Sequence, residues 1–140
     1  MPLDANKDVI RRLVADGWGK GDMAVVDALI GPGFVNHAAE IGGEPGAAGF
    51  KDQVRDFRAA FPDGHTQIDD LIAEDDKVVL RWTDGGTHRA PFLGVAPTGK
   101  RVTFTGIDVY RLADGKIVEF WCSEDLLGLM EQLGAVKLPG

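Results

Sequence analysis

Residues 101–122, RVTFTGIDVYRLADGKIVEFWC, decide the fold. Two runs rich in Val, Ile, Phe, Thr and Tyr flank Ala113-Asp114-Gly115. An Asp-Gly pair between such runs is a strong hairpin signal, because both residues tolerate positive φ. The reading is one strand over residues 101–112 and another over 116–122. Side chains alternate across a strand, so Gly106, Asp108 and Tyr110 share one face, and Ile107, Val109 and Arg111 the other. On the second strand Val118, Phe120 and Cys122 share a face, and Trp121 takes the opposite one. The alternation leaves open which face of the first strand points inward.

Upstream, residues 66–73 and 77–89 also read as strands, turning at Asp75-Asp76. The second is longer than most strands, so a bulge is expected near Gly85-Gly86. Residues 91–99 form a loop. Further upstream the period changes from two to that of a helix. Val9, Ile10, Leu13 and Val14 form one face of a helix over residues 4–17. A second helix runs from Asp22, a good N-cap, to Ile30, carrying Val25, Val26, Leu29 and Ile30, and Gly31-Pro32-Gly33 stops it. Phe50, Val54, Phe57 and Phe61 recur on a third, over residues 45–61, which Pro62-Asp63-Gly64 ends. Gly42-Gly43 marks a loop. A last helix starts near residues 123–125, with Asp125 as its cap, and ends before Gly134. Helices followed by strands make an α+β layout, with three strongly bent antiparallel strands covered by N-terminal helices in a cone-shaped barrel.

Composition bounds the rest. The 140 residues are 44% apolar and 26% charged, which fits one domain over residues 1–140 and excludes a disordered chain. The formal net charge is −7 and no basic stripe occurs, which argues against nucleic-acid binding. No apolar run is long enough to cross a bilayer, no signal peptide is visible, and a cytoplasmic location is the default expectation. One cysteine and three histidines without paired spacing argue against an intrachain disulfide and a structural zinc site. The motifs of serine hydrolases, phosphate-binding loops and zinc proteases are absent.

Several segments occur together in order: Phe34-Val35-Asn36-His37, Gly86-Thr87-His88, Phe92-Leu93-Gly94, Pro97-Thr98-Gly99-Lys100, and Asp114-Gly115-Lys116-Ile117-Val118-Glu119. Leu127-Gly128-Leu129-Met130-Glu131-Gln132-Leu133-Gly134 closes the set. In them the chain resembles the SnoaL-like polyketide (ester) cyclases, within the nuclear transport factor 2-like (cystatin-like) fold. The resemblance covers nearly the whole chain. It implies a cone with a deep pocket, a homodimer formed through the sheet, and no cofactor. The activity it implies is ring closure by intramolecular aldol condensation, although isomerases, dehydratases and epoxide hydrolases share the fold.

Ring closure needs a base for a proton alpha to a carbonyl, and donors to hold the enolate. The resemblance places the family's acid/base Asp at the position of Cys122, and a frequent family His at Phe120, so the pocket floor here is unusually apolar. Asp108 lies on the neighbouring strand, where the family keeps a polar pocket residue. If it faces inward, burial raises its pKa and makes it the best base available, with Tyr110 as a hydrogen-bond donor. His88 matches a recurring family histidine and titrates in a range suited to proton transfer. Asn36 and His37 fall where the family places polar residues at the pocket rim. Trp82 and Phe57 are candidates for the wall, Trp82 sharing strand parity with Leu80 and His88. His65 is expected to be exposed in a turn. The expected function is a SnoaL-like cyclase or isomerase acting on a hydrophobic carbonyl compound by acid–base proton transfer. The alternatives are a non-catalytic protein that binds a small hydrophobic ligand, having lost the family acid/base at Cys122, and a hydrolase on the same fold.

Overall fold

The computed structural model describes residues 2–38 and 44–139. Helix α1 covers Leu3–Arg12 and continues as a π-helical turn, Leu13–Trp18. Then come α2 (Met23–Leu29), β1 (Ile30–Asn36), α3 (Ala47–Ala60), β2 (His65–Glu74), β3 (Lys77–Thr87), β4 (Arg101–Ala113), β5 (Lys116–Glu124) and α4 (Leu126–Leu133). The five strands form one sheet in the order β1-β5-β4-β3-β2. All neighbours are antiparallel except β1, which runs parallel to β5. The Gly42-Gly43 loop lies outside the described residues.

The central hairpin is as the sequence predicts. Asp114 and Gly115 both have positive φ, 51° and 75°, and form the tight turn between β4 and β5. Asp22 caps α2 by accepting from the N–H groups of Ala24 and Val25. Asp125 caps α4 by accepting from Gly128 N–H, and Gly134, at φ 78°, ends that helix. His65 is exposed, as the first residue of β2.

Three expectations are corrected. The sheet has five strands, where the cone was expected to be built on three of the four segments read as strands; all four join it, and a fifth is added because Gly31-Pro32-Gly33 does more than stop α2: it sits inside β1. Proline is tolerated there because β1 is an edge strand whose pairing is irregular between Ile30 and Val35. A Cβ on Gly31 would come within 2.8 Å of Lys116 Cβ and 3.1 Å of Val118 Cγ1, so glycine lets this edge approach β5. Second, no bulge occurs at Gly85-Gly86, since β3 and β4 pair without a break from Lys77↔Arg111 to Thr87↔Arg101. Gly86 serves close packing instead, because a Cβ there would lie 2.9 Å from Phe61 Cβ. Third, Val118 does not share the inward face with Phe120. Pairing slips from Arg111↔Glu119 to Leu112↔Ile117, so Val118 is the extra residue and Ile117 becomes the buried one.

The helices cover one face of the bent sheet. Ile10, Leu13, Val26, Phe50, Val54 and Phe61 pack against Val78, Leu80, Tyr110, Leu112, Ile117 and Phe120, all buried. Phe50 is the centre of an aromatic cluster, edge-on to Trp18, Phe34 and Phe120 at centroid distances of 5.5, 5.5 and 5.1 Å. Burying each such ring contributes about 1.5–3 kcal/mol.

Candidate active site

The cone encloses a cavity of about 880 Å³. Alternation along the strands builds its floor: Leu80, Trp82 and Asp84 from β3, Phe104 and Asp108 from β4, and Phe120 and Cys122 from β5. Gln53 and Phe57 of α3 and Trp18 at the end of the π turn form the facing wall. A π turn within a helix frequently accompanies a functional site. Leu93, Gly94 and Leu126 are exposed lining residues and mark the solvent end.

Asp108 points inward and is only 4% exposed. Trp82 Nε1–H donates to its Oδ1 at 2.9 Å, and the Tyr110 hydroxyl donates to its Oδ2 at 2.8 Å. Each oxygen keeps a second lone pair that can take a proton. Burial raises the Asp108 pKa to about 6, against the opposing effect of hydrogen bonds from Trp82, Cys122 and Tyr110. The Trp82 bond depends on Gly106. A Cβ at that position would lie 2.1 Å from Trp82 Cζ2, so only glycine lets the indole cross β4 and reach Asp108.

Two further groups were not singled out from the sequence. Asp84 lines the cavity, is 8% exposed, and its Oδ1 has no hydrogen-bond partner among the described residues. Burial raises its pKa to about 7, with Asp108 and Glu124 adding like charge and the Thr66 hydroxyl opposing. Its strand parity with Leu80 and Trp82 was the signal available. The second group is the Trp18 indole, which lies beside the Tyr110 hydroxyl, although its buried Nε1–H makes no hydrogen bond of acceptable geometry. A lone Trp at a helix end carries no periodic signal that could have found it.

The remaining expected site residues divide. Trp82, Phe57, Phe120, Cys122 and Asp108 line the cavity. Burial drives the Cys122 thiol far above its ordinary pKa, with Asp108 and Glu124 adding to the effect, so it is no ready nucleophile. Tyr110 is fully buried, stacks on Phe120 at 5.0 Å, and reaches the cavity only through Asp108; burial drives its own pKa upward. Asn36 stands behind the wall. Its Nδ2 donates to Gln53 Oε1 at 2.6 Å and its Oδ1 accepts from Ala38 N–H, leaving Gln53 as the amide at the cavity.

His88 and His37 are not among the lining residues. β3 ends at Thr87, and the His88 ring packs against Phe61 at 5.7 Å with its Nδ1 accepting from Thr98 N–H. That removes His88 from direct contact with a ligand in the cavity. His37 lies on the outside of the sheet, stacked on Trp121 at 4.9 Å, with Nε2 2.7 Å from Glu119 Oε2. Among the described residues no group of three or more His, Cys, Asp or Glu is disposed to hold a metal ion, and no helix is long and apolar enough to cross a membrane.

Against this geometry, the model of one family, SnoaL-like polyketide cyclase, matches residues 8–133. The chain belongs to the SnoaL-like polyketide cyclase family. Solved structures agree on the cone of the nuclear transport factor 2-like fold. TsrD from Streptomyces laurentii is 29% identical over 97% of this chain and 99% of its own, with a TM-score of 0.88. AclR from Streptomyces galilaeus, a candidate hydroxylase, is 30% identical over 97% and 100%, with a TM-score of 0.85. IdmH from Streptomyces antibioticus, a candidate polyketide cyclase, is 31% identical over 92% and 98%, with a TM-score of 0.78. No curated protein matches the chain.

Proposed function

We propose that this SnoaL-like protein is a cofactor-independent proton-transfer enzyme, a cyclase or isomerase acting on a hydrophobic carbonyl compound, with Asp108 as its base. One observation carries the reading: a buried cavity carboxylate is held by two donors and has a pKa raised toward neutrality by burial. Such a group is ionised at pH 7 and still basic enough to take a carbon-bound proton. The α-proton moves to a carboxylate oxygen of Asp108, and the C–H electron pair becomes the enolate. Trp18 Nε1–H, buried beside the Tyr110 hydroxyl without a well-formed hydrogen bond, turns to donate to the enolate oxygen. In ring closure the enolate carbon attacks a second carbonyl of the same molecule, and Asp108 returns its proton to the new alkoxide. For isomerisation it returns the proton to a different carbon.

The proposed working unit is a homodimer that meets through the open sheet face. Ile72 and Ile107 are exposed on that face, and Trp121 is only partly covered there. Native mass spectrometry at micromolar protein checks this, a monomer being the contrary result.

The chemistry is tested by deuterium exchange into the methyl group of 2-acetylnaphthalene, followed by NMR. The ketone supplies an α-proton next to an apolar ring system that the cavity can hold. The wild type is expected to accelerate exchange over buffer, and Asp108→Asn to lose about 10³-fold of that acceleration. Bound ketone without exchange in the wild type would leave a ligand-binding protein in place of an enzyme.

A further inference from the structure

We propose that Asp84 is a substrate-binding hydrogen-bond donor, and that the ligand is two-ended: a carbon acid at Asp108 and an uncharged oxygen acceptor at Asp84. The Asp108 half of this statement rests on the proposed function, but the Asp84 half stands on its own geometry.

Asp84 differs from a structural carboxylate in what surrounds it. It is more than nine-tenths buried, it lines the cavity, and its Oδ1 has no partner. A buried polar atom without a partner destabilises the fold unless a ligand or water completes it. Nothing cationic is at hand, since the described cavity lining contains no lysine, arginine or histidine. The titratable groups facing Asp84 from the neighbouring strands are Asp108 on β4 and Cys122 and Glu124 on β5. Both carboxylates disfavour ionisation of Asp84, and the Thr66 hydroxyl of β2 acts in the other direction. The carboxyl therefore carries its proton up to about pH 7 and can donate it in a hydrogen bond.

Position gives the length of the ligand. Leu80 pairs with Asp108, and Asp84 pairs with Phe104, so the two residues stand four strand positions apart, about 13 Å of backbone rise, which is an upper bound on the gap between carboxyls that feel each other's charge. The aromatic floor between them is Trp82 and Phe104, edge-on at 5.7 Å. A molecule touching both ends is thus elongated and largely apolar, with oxygen functions at opposite ends. A small monofunctional ketone can satisfy only one.

The test compares 2,6-diacetylnaphthalene, with carbonyl groups at both ends, and 2-acetylnaphthalene, with one. Binding is read by quenching of tryptophan fluorescence. In the wild type at pH 6 the diketone is expected to bind about tenfold more tightly than the monoketone, the worth of one added hydrogen bond. Above pH 7 Asp84 loses its proton, the donor disappears, and the advantage falls away. Asp84→Leu is expected to abolish the advantage at both pH values. Asp84→Asn, which keeps an N–H donor and the shape, is expected to retain it and to lose its dependence on pH near 7. Equal affinities in the wild type, an advantage that survives Asp84→Leu, an advantage that grows with pH, or no binding of either ketone would each overturn the proposal. Deuterium exchange in the Asp84 variants separates the two readings: exchange of the monoketone persists if only the Asp84 assignment fails, whereas loss of the diketone advantage says nothing against Asp108.

Discussion

Asp108 and Glu119 sit on adjoining strands and behave oppositely. Asp108 faces the cavity, opposite Cys122, and burial raises its pKa to about 6. Glu119 faces outward, opposite Arg111. Hydrogen bonds from His37 and Arg111 hold its pKa below the ordinary carboxylate range. Both carboxylates accept side-chain hydrogen bonds. What separates them is the charge of the donors and access to water, which the alternation of a β-strand decides one residue at a time. The inner face is aromatic, carries no basic side chain in its described lining and is suited to moving a proton, and the outer face pairs its charges and is suited to solvent.

The largest expected consequence of this contrast is in stability against pH. A carboxyl with a raised folded-state pKa binds its proton more tightly in the folded protein. Asp108 therefore destabilises the fold fully above about pH 6, and the penalty is relieved as pH falls from about 6 to about 4. A rise of roughly two pKa units corresponds to on the order of 3 kcal/mol. Asp108→Asn is expected to flatten that part of the stability curve, measured by urea unfolding across pH 2–8. Glu119→Gln is expected to act with the opposite sign and only on the acid limb, where the wild type loses the contribution of Glu119 as that group protonates. If both variants flattened the same pH window, the inner and outer faces would not be electrostatically distinct.

Next in size is Gly106→Ala. The added methyl cannot coexist with the indole over β4, so Trp82 must move and release Asp108 Oδ1. The fold keeps its pairing, because β4 backbone bonds are untouched. Exchange of 2-acetylnaphthalene should fall by about 10²-fold from the misplaced base. The pH midpoint of exchange should rise, since losing a donor to the carboxylate favours its protonated form. An unchanged rate and midpoint would show that the Trp82 bond does not set Asp108.

A smaller effect is expected from Cys122→Asp, which restores the carboxylate of the family pattern. In this cavity it adds like charge beside Asp108, with Asp84 and Glu124 already present and no basic side chain in the described lining. The midpoint of the exchange profile should move up by about one unit, from about 6 to about 7, so the ionised base at pH 7 falls by roughly half. A faster enzyme at pH 7 would instead mean that the two carboxylates share one proton productively.

Much of this contrast was legible in the sequence. Asp114-Gly115 marked the hairpin, and alternation put Phe120 and Cys122 on one face of β5 with Trp121 on the other; which face of β4 turns inward stayed open, and the bulge at Val118 is what sets Asp108 opposite Cys122. The same parity on β3 made Trp82 a candidate for the wall, and it applies equally to Asp84, which lines the cavity beside it. Parity failed where it meets packing. Val118 is displaced by a bulge that nothing local announces. His88 keeps its inward parity, yet the ring of Phe61 stands against it. Gly31-Pro32-Gly33 read as a helix stop because an edge strand with irregular pairing has no local signature. Trp18 depends on a π turn, and Asn36 on a partner seventeen residues away, and both are set by tertiary contacts.

The smallest effect tests whether the two faces are insulated from one another. His37 is the first influence on Glu119, through a 2.7 Å contact, and it also stacks on Trp121. In His37→Ala that hydrogen bond disappears and only Arg111 remains to hold the carboxylate. The pKa of Glu119, followed by NMR of its side-chain carboxyl carbon, should therefore rise toward the ordinary value. The backbone of β5 between them keeps Phe120 and Cys122 where they are, because Asn36↔Phe120 and Asp108↔Cys122 are paired through the main chain. Ketone exchange and its pH midpoint should then be those of the wild type. A shifted midpoint would mean that the outer ion pair reaches Asp108 through the sheet, and the separation of the two faces would fail at its weakest coupling.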